Sequence, residues 1–472
     1  MTGSALRLRV TGVMTALMLG AALFAPAGTR ARAAGASPAA PGGGVDWGPV
    51  GSTTAVPGAG AGGGNVYRPW LSADGRYLVF DSDGTRVIGT TPDTTKIRDV
   101  YLYDRMTGGV ERVSVASDGS RAHIPRCASR QPCGSQRPTI SADGRYVAFW
   151  SNADNFDRRA TNGHANAYVR DRVTGTTILL SPGFNGAQPN GDSRRPVISR
   201  DGRYVTFESA ATNLVAPATC VGCGGRNKAD DVFVSELSTG TVTLVSTASD
   251  GRHGNGASNR PSLSGDGRKV VFASVATNLV SPPTAGTRQV FMKDLDSGAT
   301  TLVSSTAAGI AGDRASTSPS ISADGRWVSF DSQADNFNPA DHNGDTDVYV
   351  KDIQTGVVEQ VSIKNDGRQA RAGTVKGADS TISADGRFVA FWSDSPDLVH
   401  KTTGRVVDVY VRDRRLGTTT RVVATNGAEG DGNSYSPALS VDGRFVAFDS
   451  KATTLDPGAP GRGEKVFVHV ND

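Results

Sequence analysis

The stretch RPTISADGRYVAF at residues 137–149 decides the fold, because the chain writes it seven times. The other copies are RPWLSADGRYLVF (68–80), RPVISRDGRYVTF (195–207), RPSLSGDGRKVVF (260–272), SPSISADGRWVSF (318–330), DSTISADGRFVAF (379–391) and SPALSVDGRFVAF (436–448). Their Asp-Gly aspartates are Asp74, Asp143, Asp201, Asp266, Asp324, Asp385 and Asp442, spaced 57 to 69 residues apart. A unit repeated at such a period buries its apolar face only by stacking on its neighbours. Asp and Gly in tandem suit a tight turn, since Gly accepts positive φ and Asp bonds nearby backbone amides. Around that turn each copy parses into four strands. The first ends at the Ser before Asp-Gly and the second is the alternating run after it. The third reads DVYLYD at Asp99–Asp104, DVYVKD at Asp347–Asp352 and DVYVRD at Asp408–Asp413, and the fourth is rich in Thr, Val and Ser, as at Thr300–Ser304. Four short antiparallel strands cannot bury both faces alone, whereas radial stacking does so. The expected fold is an all-β, seven-bladed β-propeller of four-stranded antiparallel blades.

The two ends of the chain fit that ring. The seventh copy stops after a third strand at Lys465–Val470, and Ser52–Val56, ahead of the first copy, reads as the missing fourth. The N-terminal strand is expected to complete the last blade and leave no open edge.

The S-x-D-G-R-x-V-A-F pattern followed by D-V-Y-V-x-D resembles the WD40-like (PD40) β-propeller repeats of TolB-type proteins, over residues 52–472. TolB itself carries six blades behind an extra N-terminal domain, and this chain departs from it with seven repeats and no segment for that domain. The resemblance implies a propeller that works by binding. PD40 propellers also gate prolyl-oligopeptidase-like enzymes, whose hydrolase domain of a few hundred residues has no counterpart in these 472 positions.

Ahead of the repeats, Arg7 and Arg9 precede an uncharged apolar run, Val10–Phe24, and then Ala25-Pro26-Ala27 and Ala31-Arg32-Ala33. That is the layout of a secretory signal over residues 1–33. Residues 34–51, rich in Ala, Gly and Pro, read as a flexible spacer before a single propeller domain at 52–472. Lys and Arg number 50 against 46 Asp and Glu, and the formal +4 falls to zero without the four arginines of residues 1–33. Nothing in this balance points to nucleic acid. Export would place a monomer with no membrane span outside the cell or at its envelope exterior.

Where the copies diverge, function is expected. Counted from the Asp-Gly aspartate, the third strand's first Val (Ala167 in blade two) comes after 24 residues in most blades but after 31 in blade three, and the connection from blade one to blade two is also overlong. These two segments hold Cys127 and Cys133, and Cys220 and Cys223. In an exported chain they are disulfide candidates with three connectivities. A redox pair at Cys220–Cys223 and a four-cysteine zinc site are the alternatives. Blade five alone carries Asp341, Asn343, Asp345 and Asp347, oxygen side chains at alternate positions with Gly344 among them. This resembles the start of a Ca²⁺ loop and nominates a structural calcium, against the plainer reading of a polar turn held by Asx bonds. The recurring tags Ala334–Phe337, Ala211–Leu214 and Ala276–Leu279 read as turns that seat a Phe or Leu between blades. The third-strand aspartates Asp104, Asp171, Asp294, Asp352 and Asp413 read as turn formers because they recur.

No nucleophile elbow, zincin motif or phosphate-cradling loop is present, and the six histidines are scattered through different blades. No catalytic residue is nominated. The favoured function is a secreted, non-catalytic binding or scaffold module for a protein or glycan. The alternative is a propeller hydrolase or lyase using a metal or acidic site near the central channel, since propellers host many chemistries. Charged residues converging on the channel mouth would favour the enzyme, and an exposed apolar loop patch would favour binding.

Overall fold

The computed structural model describes residues 49–57, 64–88, 97–125, 133–216, 229–341, 343–371, 379–399, 406–458 and 463–471. The expected signal segment lies outside them, as do Cys127, Cys220 and Cys223. Seven four-stranded antiparallel sheets make up these residues, six of them built from consecutive strands. Blade two shows the plan: Ser135–Ile140 on the inside, then Tyr146–Ser151, Asn166–Asp171 and Thr176–Leu179. The seventh sheet takes Ser434–Leu439, Phe445–Ser450 and Lys465–Val470 from the C-terminal end and Thr53–Ala55 from the N-terminal end. Thr53 pairs with His469 and Ala55 with Phe467. Gly51 donates to the Val470 carbonyl at 2.8 Å and Val56 to that of Val466 at 2.9 Å, extending the seam beyond the strand. Ring closure by the N-terminal strand is therefore present.

The apolar core lies between blades rather than within them. Val271, Val290 and Met292 of blade four pack on Val328, Phe330 and Tyr349 of blade five, with Phe337 of the blade-five tag against them. Leu214 and Leu279 sit in the equivalent places of blades three and four. Alternation along the second strand explains this arrangement, because each blade presents apolar side chains to both neighbours.

The Ser-x-Asp-Gly-Arg turn is a closed hydrogen-bond unit. In blade two, Ser141 Oγ donates to Asp143 (2.6 Å) and accepts the Tyr146 N–H (2.9 Å), while Asp143 accepts the Arg145 N–H (3.0 Å). The Arg145 guanidinium grips Asp171 with two bonds, and Arg76–Asp104, Arg326–Asp352 and Arg387–Asp413 repeat the pair. The third-strand aspartates thus hold turns, as their recurrence suggested. Gly144 has φ +75°, and a Cβ there would lie 2.2 Å from the Tyr77 ring of blade one. The turn glycine is needed twice, for its backbone and for the neighbouring ring. The residue between Ser and Asp then links the blades at the channel's far end. Ala73 donates to the Ala142 carbonyl, Ala142 to Arg200, Gly265 to Ala323, Ala323 to Ala384, Ala384 to Val441 and Val441 back to Ala73, with Asp201 to Gly265 completing the circuit at 2.9 to 3.3 Å throughout.

A side chain at the turn glycine must both strain the backbone and displace the ring. Gly144→Ala is expected to destabilise the protein by about 2–5 kcal/mol, combining left-handed strain with overpacking. Denaturant unfolding checks this, and Tyr77→Ala in the same chain should recover the steric part of the loss. Additive losses in the double variant would refute the contact.

Candidate functional site

Inner strands run from one end of the channel to the Asp-Gly turns at the other, so every second-to-third loop and every blade-to-blade connection meets the opposite, open end. At that end each inner strand kinks at the residue before its Pro or Ser. Arg68, Arg137, Arg195, Arg260, Ser318, Asp379 and Ser436 all have positive φ, between 35° and 53°. In six blades the pairing with the second strand shifts register there. Left-handed backbone at a residue other than Gly, and especially before Pro, is costly and collects at functional sites. A bulge also re-aims its side chain. Here it turns four guanidiniums, one carboxylate and two hydroxyls into one cavity of about 190 Å³.

Buried acids hold the kinks. The position before the last Ser of the second strand is Asp81, Trp150, Glu208, Ala273, Asp331, Trp392 and Asp449 in blades one to seven. Each of the four acids accepts the backbone N–H of the kinked residue in the next blade: Asp81 from Arg137 (3.1 Å), Glu208 from Arg260 (3.1 Å), Asp331 from Asp379 (3.0 Å) and Asp449 from Arg68 (3.2 Å). Glu208 also pairs with the Arg195 guanidinium at 3.0 Å. Asp379 pairs with Arg260 and accepts from Ser318 Oγ at 3.0 Å. No described carboxylate lies within 4 Å of the Arg68 or Arg137 guanidinium, although Asp81, tied to Arg98 at 3.2 Å, is close enough to feel the Arg68 charge.

The charges register this crowding. Burial, and then the neighbouring Arg195 and Arg68, push the Arg137 guanidinium down to about 9. Burial, then the nearby Asp379 charge, pushes the Asp331 carboxyl up to about 7. Burial also raises Asp379, but Arg260 and Ser318 outweigh it and hold that carboxylate below the ordinary range. Burial and then the Glu464 charge raise Asp449, while Glu464 is raised by burial against the opposing Lys451 charge and its bond from Asp449.

A second cavity, of about 420 Å³, shares Arg260, Ser318 and Asp379 with the first. It runs outward past Asn259, Gln333, Thr346 and the half-buried Trp392, whose ring meets Tyr435 edge-on at 5.3 Å. Trp70 lines both the mouth and the lower half of the channel.

The blade-five loop also lies on the open face. Asp341 accepts from Tyr349 Oη and Gln369 Nε2, both at 2.7 Å, and Asp347 accepts from Ser362 Oγ (2.6 Å) and from the same Gln369 amide (3.3 Å). Asn343 Oδ1 accepts the Asp345 N–H at 2.9 Å, an Asx turn. Asp341 and Asp347 are thus brought together around Gln369. Asp347 is raised to about 6 by burial and by Asp341. Cys133 is not a free thiol, and its carbonyl accepts the Arg98 N–H at 3.1 Å at the base of the first oversized loop. Among the described residues no group of three or more His, Cys, Asp or Glu side chains is placed to hold a metal.

The arginines open four of the quoted repeats and are not among the residues expected to form a site. The signal that distinguishes them is incomplete repetition: Arg in blades one to four, then Ser, Asp and Ser.

No family model matches the chain, and no curated protein matches it. Among solved structures it is similar to an oligogalacturonate lyase in complex with manganese, at 15% identity, covering 89% of this chain and 96% of that one with a TM-score of 0.52. It is also similar to TolB from Acinetobacter baumannii, at 14% identity over 84% of this chain and 80% of that one, with a TM-score of 0.37. The β-propeller domain of the Trilobed protease from Pyrococcus furiosus matches at 11% identity over 86% and 95%, with a TM-score of 0.48. The seven observed four-stranded blades set the chain among the β-propellers, the fold that the PD40 resemblance implied.

The buried carboxyls give stability a definite dependence on pH. Asp331, Asp347 and Asp408 have folded values of about 7, 6 and 6 against 3.8, so the fold binds their protons more tightly than the unfolded chain does. Their contribution is whole below about pH 4 and is lost as pH rises through about 6 to 7. Asp171, held at about 2 chiefly by Arg145, acts oppositely and loses its contribution as pH falls below about 4. The melting temperature should therefore rise as pH is lowered from about 8 to about 5, then turn over below about 4. Asp331→Asn should flatten the upper limb, and a melting temperature that falls steadily from pH 8 to 5 would contradict these assignments.

Proposed function

We propose that the protein is a secreted, non-catalytic binding propeller that engages a protein or glycan at the arginine-lined end of its channel, after loss of residues 1–33. The observation that carries this reading is the pair Arg68 and Arg137, two half-buried guanidiniums that line the cavity and have no carboxylate within ion-pair distance among the described residues. Guanidiniums without a direct ion pair are complementary to an anionic group on a partner.

Charge converging on the channel mouth is the arrangement expected of an enzyme, and its composition returns the balance to binding. The four second-strand acids there bond the backbone of the next blade. Each of them thereby commits one carboxylate oxygen to the scaffold. The enzyme reading keeps one specific support, Asp331 at about 7 on the groove and Arg137 at about 9 on the mouth that adjoins it. Such perturbed values do gather at catalytic sites.

Two further readings enter the proposal. We propose that Cys127, Cys133, Cys220 and Cys223 form disulfides that staple the oversized loops, and that Asp341, Asn343, Asp345 and Asp347 hold a structural Ca²⁺.

Capture from the native medium and envelope should retain a partner on the wild-type protein and lose it on an Arg137→Gln variant, with the eluted partner unchanged in mass. Recovery of cleaved partner would establish the enzyme instead. For the loops, chelator should lower the melting temperature of the wild type but leave Asp345→Ala at an already lowered value. A non-reducing peptide digest of exported protein should contain linked cysteine peptides. An unchanged melt with chelator disposes of the calcium, and four free thiols dispose of the staples.

A further inference from the structure

We propose that the channel mouth is a subsite for an acidic sugar, with the carboxylate of one sugar unit between Arg68 and Arg137, its hydroxyls toward Asp379 and Ser436, and the following unit in the groove past Trp392. This deepens the binding reading and rests on it only for the absence of turnover.

The assignment comes from the asymmetry of the ring. Arg195 and Arg260 already have Glu208 and Asp379 as partners, so among the described residues the cavity arginines without an ion pair are those of blades one and two. The other side of the cavity offers oxygen: Ser318, Asp379 with 53% of its side chain exposed, and Ser436. A bare oxyanion would satisfy the arginines and be repelled by Asp379. A neutral sugar would satisfy the oxygens and leave the arginines uncompensated. A carboxylate carried on a polyhydroxylated ring satisfies both sides, since it accepts from guanidinium and its hydroxyls donate to carboxylate and serine oxygens.

The groove supports a chain rather than a single unit. Its volume of about 420 Å³ is joined to the mouth through Arg260, Ser318 and Asp379. Beyond the shared mouth residues its walls are mainly uncharged amides and hydroxyls, Asn259, Gln333, Thr317 and Thr346, with Arg288 and the buried Asp331 carboxyl among them and the Trp392 ring as an apolar platform. Amide and hydroxyl groups around one aromatic face suit a sugar ring, which is polar at its rim and presents C–H bonds on its flat faces.

Isothermal titration of the full chain with five probes decides the matter: a uronic-acid trisaccharide, the uronic-acid monosaccharide, the carboxyl-reduced trisaccharide, sodium sulfate and tri-aspartate. The trisaccharide should bind at least tenfold more tightly than each of the others. Arg137→Gln and Arg68→Gln should each weaken it by about 10- to 100-fold, the loss of one charge-assisted bond, without lowering the melting temperature. Trp392→Ala should weaken the trisaccharide while leaving the uronic-acid monosaccharide unchanged. Equal binding of the reduced sugar, wild-type affinity in both arginine variants, sulfate or tri-aspartate matching the trisaccharide, or no binding of any probe would each overturn the subsite. Chromatography of the trisaccharide after titration separates this from the parent reading. Cleavage would sink the non-catalytic role and leave the subsite standing, whereas intact but unbound sugar would sink the subsite and leave partner capture by the same face untouched.

Discussion

The fold depends on one contact made in every blade, the closeness of a turn glycine to the ring or stem of the preceding blade's side chain. A Cβ on Gly75 would meet Phe445, one on Gly144 would meet Tyr77, one on Gly386 Trp327 and one on Gly443 Phe388, all at 2.2 to 2.3 Å. The ring in that contact is held by cations from both sides. Tyr77 carries Arg76 of its own blade at 4.6 Å and Arg172 of the next at 4.8 Å, and Trp327 carries Arg326 and Arg414 at 4.6 and 4.1 Å. Such stacks are individually modest, about 0.5–2 kcal/mol. They are repeated around the ring together with the backbone circuit through Ala73, Ala142, Ala323, Ala384 and Val441. Registration between blades is therefore set at the closed end, before any side chain at the open end is considered.

That rigidity permits the opposite end to be strained. Seven kinked residues at positive φ would open a lone hairpin, because each costs roughly 1–3 kcal/mol. In the ring they persist because the strand below each kink is already fixed, and because Asp81, Glu208, Asp331 and Asp449 accept four of the exposed N–H groups. The acids occupy blades one, three, five and seven. Trp150, Ala273 and Trp392 fill the same position in the others. The alternation runs acid, non-acid around an odd number of blades, so blades seven and one are both acidic at the seam where the N-terminal strand closes the circle.

Most of the architecture was legible in the sequence, since the turn, the strand alternation and the closing strand are all local patterns or follow from the repeat count. Even the tags were readable, because a repeated Leu or Phe after a strand has few roles besides packing. The mouth was not legible in the same way. Arg68, Arg137, Arg195 and Arg260 precede Pro or its equivalent in segments that read as plain β-strand, and a strand gives its side chains no common focus. Only the kink turns them inward, and its sign is the register shift, which pairing reveals and composition does not. The partner acids were hidden for the same reason. Asp81 and Asp331 occupy the slot that Trp150 and Trp392 fill elsewhere, so sequence alone marks the position as variable rather than as a bond to the next blade's backbone.

The mouth's charge is a consequence of that backbone bond. A carboxylate can neutralise an arginine or accept a kinked N–H well, and geometry seldom allows it to do both fully. Glu208 manages both, taking the Arg260 N–H and the Arg195 guanidinium. Asp81 divides itself between the Arg137 N–H and Arg98, so the Arg137 side chain receives no ion pair from the acid that holds its own backbone. Asp449 likewise takes the Arg68 N–H. The scaffold thus spends its negative charge on holding the arginines in position and leaves the two on blades one and two with carboxylates nearby but no direct ion pair among the described residues. Water alone compensates poorly in a half-enclosed cavity, where charges interact more strongly than in bulk solvent. The interaction that would complete the site is an anion from outside the chain, and the stability given up to the kinks is what keeps the place for it open.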